Sequence, residues 1–118
     1  MLMLHACADT SNTHEHAGEV AASSLAVGKK LFIDNCAVCH SVKKDKMGPA
    51  LEGSLARWNN DTARLTAFIK NSPEFIRSGD PYARALFEKW NREVMTPFPD
   101  LTDEEVFQLI DYFEHAKE

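Results

Sequence analysis

The stretch "CAVCHSVKKDKMGPAL", residues 36–51, decides how this 118-residue chain is interpreted. It places two thiols, Cys36 and Cys39, three positions apart and puts the imidazole of His40 directly after the second. A lysine-rich segment and a Gly-Pro step follow, and nothing comparable occurs elsewhere in the sequence. A Cys-x-x-Cys pair serves zinc sites, dithiol redox sites and thioether attachment of haem, so its neighbours must decide between these sites.

The adjacent histidine favours haem attachment. In that chemistry the two thiols add to the porphyrin vinyl groups, and the side chain after the second cysteine falls under the iron. A structural zinc site needs further ligands, but Cys7 is remote and His115 is solitary. A thioredoxin-like dithiol needs a βαβ context, which is not compatible with the helical pattern of this chain. Cys36, Cys39 and His40 are therefore the candidate haem-binding residues.

Length and composition indicate one soluble globular domain. The chain is long enough for a single core, and its 44% hydrophobic and 26% charged residues are typical of such domains. No apolar run approaches the roughly 20 residues that are needed to cross a bilayer. The net charge of −5 argues against a nucleic-acid partner, because phosphate binding requires a dominant basic face.

Charge is unevenly distributed along the chain. Lysines surround the cysteine motif, whereas acids dominate the last twenty residues; the lysines are Lys29, Lys30, Lys43, Lys44 and Lys46, and the acids include Asp103, Glu104, Glu105, Asp111 and Glu114. The two regions form either an ordinary solvated surface or a dipole that steers a charged protein partner toward the motif.

The first 23 residues have the composition of a leader and flexible tether. "LMLHAC", ending at Cys7, is similar to a bacterial lipobox, so Cys7 is either a lipidation site that tethers the protein to a membrane or an unimportant thiol. Residues 8–23 are small and polar without apolar periodicity. His14 and His16 in this segment could bind a metal weakly, but a His-x-His pair in a flexible segment more often has no function. The folded domain is expected to cover residues 24–118.

The first half of that domain is predicted to form two helices separated by a loop. A helix is expected from Ser24 to the cysteine motif, with an apolar stripe of Val27, Leu31, Phe32 and Cys36. Residues 41–60 are rich in turn residues and are predicted to form a loop. A short helix is expected over residues 62–70, capped by Asp61 and ended by Asn-Ser-Pro at 71–73.

Two further helices are predicted in the second half, which makes the fold class all-α. Asp80 is a helix cap and Pro81 suits the first helical position, so a helix is expected to run from there to about Arg92. The last helix opens with a capping box from Thr102 to Glu105. Its apolar face comprises Val106, Leu109, Ile110 and Phe113. No window shows the alternation of a strand or a hairpin dipeptide.

From about Ser24 to Glu118 the sequence resembles the class I c-type cytochromes of the small monohaem kind. The resemblance depends on four segments together: "GKKLFIDNCAVCH" at 28–40, "MGPAL" at 47–51, "VMTPFPDLT" at 94–102 and "LTDEEVFQLIDYF" at 101–113. It implies a helical bundle that encloses one covalently attached haem c, with the first and last helices crossing near Gly28, Phe32 and Tyr112.

The resemblance also implies the iron ligands. His40 and Met95 are the expected axial ligands, and the Pro49 carbonyl is expected to accept a hydrogen bond from the other imidazole nitrogen. Met95 suits this role because it follows the third predicted helix in a proline-flanked, non-helical segment. Met47 is the rival ligand, but it lies close in sequence to His40, and a sixth ligand must approach from the opposite face. Trp58 is expected either to reach a haem propionate or to pack in the core.

The expected function is one-electron transfer between redox proteins outside the cytoplasm, since bacteria attach haem c there. The protein is expected to be a monomeric carrier in the periplasm or on the outer face of a bacterial membrane, and not an enzyme. One alternative is a haem enzyme or small-molecule sensor with an open or displaceable Met95 site. Another is a dedicated haem subunit of an oxidase or dehydrogenase complex.

Overall fold

A computed structural model of the protein describes residues 23–116. Within that range the chain forms six helices and no strand: α1 (23–35), α2 (Ser54–Arg57), α3 (Thr62–Lys70), α4 (Ser72–Arg77), α5 (Pro81–Lys89) and α6 (Asp103–His115). The predicted all-α class is confirmed. Cys7, His14 and His16, and with them nearly all of the predicted tether, lie outside the described residues. None of the described helices is long and apolar enough to span a membrane.

Local capping explains where three of the predicted helices begin. The Asp61 side chain accepts a hydrogen bond from the Arg64 N–H at 3.1 Å, which confirms the predicted start of α3. The α6 capping box is present in both directions, since Thr102 Oγ1 accepts from the Glu105 N–H and Glu105 Oε1 accepts from the Thr102 N–H. The α5 helix starts at Pro81 as predicted but ends at Lys89.

The predicted extension of α5 to Arg92 is wrong. Asn91 and Arg92 have φ values of 60° and 58°, which lie in the left-handed region and cannot continue a right-handed helix. The chain therefore leaves α5 three residues earlier than its apolar spacing suggests and enters the non-helical segment that contains Met95.

Two short helices were missed in the sequence. The predicted loop at 41–60 contains α2, which is a single turn, and the predicted stop at Asn71 also starts α4. The Asn71 side chain accepts from the Glu74 N–H at 3.4 Å, and Pro73 occupies the first turn of α4. The same three residues thus end one helix and begin the next.

The expected crossing of the first and last helices is confirmed. The Phe32 ring lies 5.6 Å from the ring of Tyr112 and 6.3 Å from that of Phe113, measured between centroids. Gly28 permits this approach, because a Cβ atom there would lie 2.3 Å from Gln108 O and 2.9 Å from Tyr112 Cβ. Val27, which was predicted to share the buried stripe, is 39% exposed because the helix turns Gly28 toward α6 instead.

The core continues from this crossing into α6 and α3. Val106 and Leu109 of α6 are fully buried, as is Val42 of the loop after the cysteine motif. Helix α6 packs against both α2 and α3. An aromatic cluster of Trp58, Phe68, Phe75 and Tyr82 extends the core toward α4 and α5. The core therefore extends from α6 through α3 to α4 and α5.

An ion pair joins α3 to the start of α5. Arg64 donates from Nε and Nη2 to Asp80 Oδ1 at 3.0 and 2.6 Å, and Asp80 Oδ2 accepts from the Ala83 N–H at 2.9 Å. Burial raises the pKa of Asp80, but the Ala83 N–H and the Arg64 guanidinium outweigh burial and hold the pKa below its ordinary value. The carboxylate thus stabilises the folded state in its ionised form.

Replacing Gly28 by alanine is expected to weaken the α1–α6 crossing. The added methyl group would overlap the Gln108 backbone, so the free energy of unfolding should fall by about 1–3 kcal/mol. Chemical denaturation followed by circular dichroism measures the change. The exposed substitution Lys29→Ala on the same helix is the control and should have little effect. A Gly28→Ala protein as stable as the parent would contradict the crossing geometry.

Replacing Asp80 by alanine is expected to lower the free energy of unfolding by about 1–2 kcal/mol at neutral pH, because it removes a helix cap and a partly buried ion pair. Since the folded-state pKa is lowered, the contribution is complete above the ordinary pKa of 3.8 and is lost as the pH falls below it. Unfolding measured from pH 7 to pH 3 should show the two proteins converging in acid.

The control for Asp80 is Asp34→Ala, which breaks an exposed ion pair with Lys30. This change should alter the free energy of unfolding by less than about 0.5 kcal/mol. An Asp80→Ala deficit that persists unchanged at pH 3 would show that the ionised carboxylate is not its source.

Candidate functional site

The predicted site residues line one internal cavity. Cys36, Cys39 and His40 lie on its wall together with Pro49 and Met95, although 55 positions separate the histidine from the methionine. Most of the remaining wall is aliphatic or aromatic: Leu51, Trp58, Leu65, Phe68, Ile69, Ile76, Tyr82, Leu86, Phe87, Trp90, Phe98 and Phe113. The structure thus combines the polar groups of the motif with a large apolar surface that is suited to a flat, hydrophobic cofactor.

The end of α1 presents the cysteine motif to this cavity. The Cys36 N–H donates to Phe32 O at 2.8 Å, and the His40 N–H donates to Cys36 O at 2.9 Å. This turn gathers both cysteines and the histidine at the carboxyl end of the helix. Cys36 is partly buried and Cys39 is exposed, and the two are not joined in a disulfide. Both sulfurs are therefore available as thiols.

The thiol chemistry does not suit a redox dithiol. Burial and the neighbouring Cys39 raise the pKa of Cys36 to about 11, whereas the attacking cysteine of a dithiol oxidoreductase has a lowered pKa. Across residues 23–116, no three histidine, cysteine or acidic side chains come together in a way that could hold a metal ion. A structural zinc site is therefore not assembled in the described part of the chain.

His40 is held by one hydrogen bond and one close packing contact. Its Nδ1 lies 2.9 Å from Pro49 O, and since a carbonyl can only accept, Nδ1 carries the proton. The other nitrogen, Nε2, is left with a free lone pair for a metal. Burial lowers the pKa of His40, while the bond to Pro49 acts in the opposite direction. The imidazole is therefore neutral and oriented, as an iron ligand must be.

Gly48 forms the surface on which this ring rests. A Cβ atom at Gly48 would lie 2.4 Å from Cε1 of His40 and 3.0 Å from its Nδ1, so no other residue could keep the ring in place. The Gly48 N–H also donates to Cys39 O at 2.9 Å, which fixes the loop against the motif. The sequence analysis predicted the contact of the Pro49 carbonyl with the imidazole but gave Gly48 no role beyond the turn.

Met95 reaches the cavity from a separate segment. Residues 93–102, here called the methionine loop, are non-helical and connect α5 to α6. The loop is attached to the protein at Met95 O, which accepts from Ser72 Oγ at 3.3 Å, and at the Phe98 N–H, which donates to Lys70 O at 2.9 Å. Met47 also lines the cavity, but it is 54% exposed and adjoins the glycine that packs on His40.

Helix α5 and the residue that follows it supply a wall of the cavity that was not predicted from the sequence. Tyr82, Leu86 and Trp90 repeat every four residues and face the cavity, so the periodicity was a usable signal. Trp58 is 4% exposed and packs against Phe68, and Arg64 lies 5.2 Å above its ring. Trp58 thus packs in the core and also lines the cavity, and its contact with a haem propionate stays a prediction. The buried Trp90 Nε1 has no hydrogen-bond partner within the described residues.

Together these features fit a c-type haem. The donor set is two thiols, an oriented neutral imidazole and a thioether, and these are the groups that attach and ligate such a haem. The cavity is otherwise mainly apolar, and the glycine beside His40 leaves room for the ring and nothing more. Cys36 and Cys39 would hold the porphyrin covalently, and His40 and Met95, on the wall of the same cavity, are the candidate ligands of its iron.

Comparison with known proteins gives the same family. The Cytochrome c family model matches residues 25–117, which is most of the chain and includes every residue of the site described above. No solved structure matches the chain significantly. Members of this family bind covalently attached haem c, transfer electrons and are generally extracytoplasmic. The chain therefore belongs to the cytochrome c family, as a class I c-type cytochrome with one covalently attached haem c.

Proposed function

We propose that this protein is an electron carrier in which His40 and Met95 would both bind the haem iron. The haem supplies the one-electron couple of its iron. The observation that carries the proposal is that His40, with a free Nε2, and Met95 line the same mainly apolar cavity although 55 positions separate them in the sequence. Two axial side chains would leave no open position for oxygen or a substrate.

Each ligand contributes to the function in a distinct way. The Pro49 carbonyl fixes the imidazole tautomer and raises the basicity of the ligating nitrogen. The Met95 thioether favours the ferrous state and so raises the reduction potential relative to a second histidine. The apolar walls formed by side chains such as Leu65 and Phe68 disfavour the extra charge of the ferric state and act in the same direction.

The surface beside the site supports a protein partner. Val38 in the motif, Met47 after it and Val94 next to Met95 are 77%, 54% and 64% exposed. Exposed lysines follow the motif in sequence: Lys43, Lys44 and Lys46. An exposed apolar patch with lysines nearby suits transient docking of a redox protein with an acidic surface. We propose donor and acceptor proteins of this kind, and no stable oligomer of the chain.

We place the carrier in the bacterial periplasm or on the outer face of a bacterial membrane. The support is the extracytoplasmic location that is general for the family, together with the lipobox-like sequence that ends at Cys7. A lipid on Cys7 would tether the domain near membrane-bound redox complexes. The alternative of a dedicated subunit of such a complex shares the haem chemistry and differs in having a permanent partner.

The Met95→Ala variant tests the sixth ligand. In the parent protein we expect an iron–sulfur charge-transfer band in the ferric spectrum and no binding of carbon monoxide to the ferrous form. The variant should lose the band, bind carbon monoxide and have a potential lower by on the order of 100 mV, within the ~0.8 V range that axial ligands span. Optical titration and redox potentiometry measure these changes.

Met47→Ala is the matched control, because Met47 is the other methionine on the cavity wall. It should keep the band and the parental potential. If the band survives in Met95→Ala and disappears in Met47→Ala, the ligand assignment is wrong. If the parent itself binds carbon monoxide readily, the sensor or enzyme alternative with a displaceable ligand is favoured.

The Gly48→Ala variant tests the support of His40. Its methyl group would displace the imidazole, so we expect less haem to be attached per polypeptide and an altered spectrum in the fraction that carries haem. The pyridine test for thioether-linked haem, divided by protein concentration, gives the ratio. Gly79→Ala is the control: the φ of 97° at Gly79 strains any side chain there, but nothing lies within 4 Å of the added methyl group, so the haem content should stay parental. Parental haem content and spectrum in Gly48→Ala would refute this role.

A further inference from the structure

The methionine loop is held at the junction between α3 and α4. Lys70 ends α3, and Ser72 begins α4 two residues later. Carbonyl groups in the last turn of a helix have no partner within the helix, and Lys70 O instead accepts from the Phe98 N–H at 2.9 Å. The side chain of Lys70 also pairs with Asp103 at 2.9 Å, at the start of α6. The loop is thus fixed on the carboxyl side of Met95.

Ser72 makes the contact that lies closest to the proposed iron ligand. Its Oγ donates to the carbonyl oxygen of Met95 itself at 3.3 Å, and the residue is only 1% exposed. A buried hydroxyl that loses its partner carries a desolvation penalty, because water cannot replace the bond. If the methionine loop moved away, Ser72 would lose this partner. The free energy needed to move the loop away therefore depends on the hydrogen bond from Ser72.

From this geometry we infer that Ser72 is a positioning residue that determines how firmly Met95 holds its place over the iron. The inference rests on the proposed ligation by Met95. Ser72 touches neither the thioether nor the iron in this account; it acts on the backbone of the residue that does. Its effect is on the competition between Met95 and an external ligand for the same coordination position.

The Lys70–Asp103 pair is less suited to this role. Asp103 is 68% exposed and Lys70 is 31% exposed, and ion pairs of that kind contribute little. The backbone bond from Phe98 cannot be removed by changing a side chain. Replacing Ser72 by alanine removes a single oxygen atom. The change therefore weakens the attachment of the methionine loop and leaves the Met95 side chain unaltered.

The test is imidazole binding to the ferric holoprotein, measured by the loss of the iron–sulfur charge-transfer band. In Ser72→Ala the apparent dissociation constant of imidazole should fall about fivefold, which corresponds to the loss of one neutral hydrogen bond. The ligand Met95 is unchanged, so the band should still be present before imidazole is added. The unfolding midpoint of each protein is measured in parallel.

The matched control is Ser78→Ala at the other end of α4. The Ser78 hydroxyl is exposed and donates to Phe75 O at 2.6 Å, so its partner lies in α4 itself and not in the methionine loop. Its imidazole affinity should equal that of the parent. The inference is overturned if Ser72→Ala binds imidazole with parental affinity, including the case in which only its unfolding midpoint falls, or if Ser78→Ala shows the same gain. Absence of the band in the parent would instead contradict the ligation by Met95.

Discussion

The close approach of α1 and α6 at Gly28 is the constraint on which the rest of the structure depends. Helix α1 ends at the cysteine motif, and α6 begins directly after the methionine loop. Because Gly28 has no side chain, the backbone of α1 lies directly against the Gln108 backbone and Tyr112 of α6, and Phe32 packs on Tyr112 and Phe113. The packing of these two helices therefore fixes where the segment with His40 begins and where the methionine loop ends.

Each of the two proposed ligands is then held by a contact to the backbone. Pro49 O orients the His40 ring, and Gly48 packs against that ring. The Ser72 hydroxyl holds the carbonyl group of Met95. Neither contact involves the proposed ligating atom, which is Nε2 in His40 and the sulfur in Met95. A rigid setting of this kind suits electron transfer, because an iron site that changes little between oxidation states exchanges electrons with little rearrangement.

Much of the fold could be predicted because its signals are local. Asp61, Asp80 and Thr102 are caps that act within three residues, and the starts of the helices that they cap were predicted correctly. Helices α2 and α4 are too short to show an apolar period, so they were missed. The exposure of Val27 was also missed, because spacing alone does not tell whether a neighbouring glycine is the residue that faces the core.

In the candidate site, too, the local features could be predicted and the tertiary contacts could not. Cys36, Cys39 and His40 are consecutive enough to be identified as a motif, whereas Met95 and Pro49 were assigned through the family resemblance. The contact of Gly48 with the imidazole and that of Ser72 with the methionine loop join residues 8 and 23 positions apart. Such contacts depend on tertiary packing, which no local pattern encodes, so only the structure reveals them.

The claim that Met95 lies over the haem is tested most directly by nuclear magnetic resonance of the ferrous protein with carbon-13 in its methionine methyl groups. A methyl group bound above a porphyrin experiences the ring current and resonates far upfield of its usual position. The account predicts one such signal, and assignment by substitution should identify it as Met95. An ordinary shift for the Met95 methyl, or an upfield shift of the Met47 methyl in its place, would contradict the account.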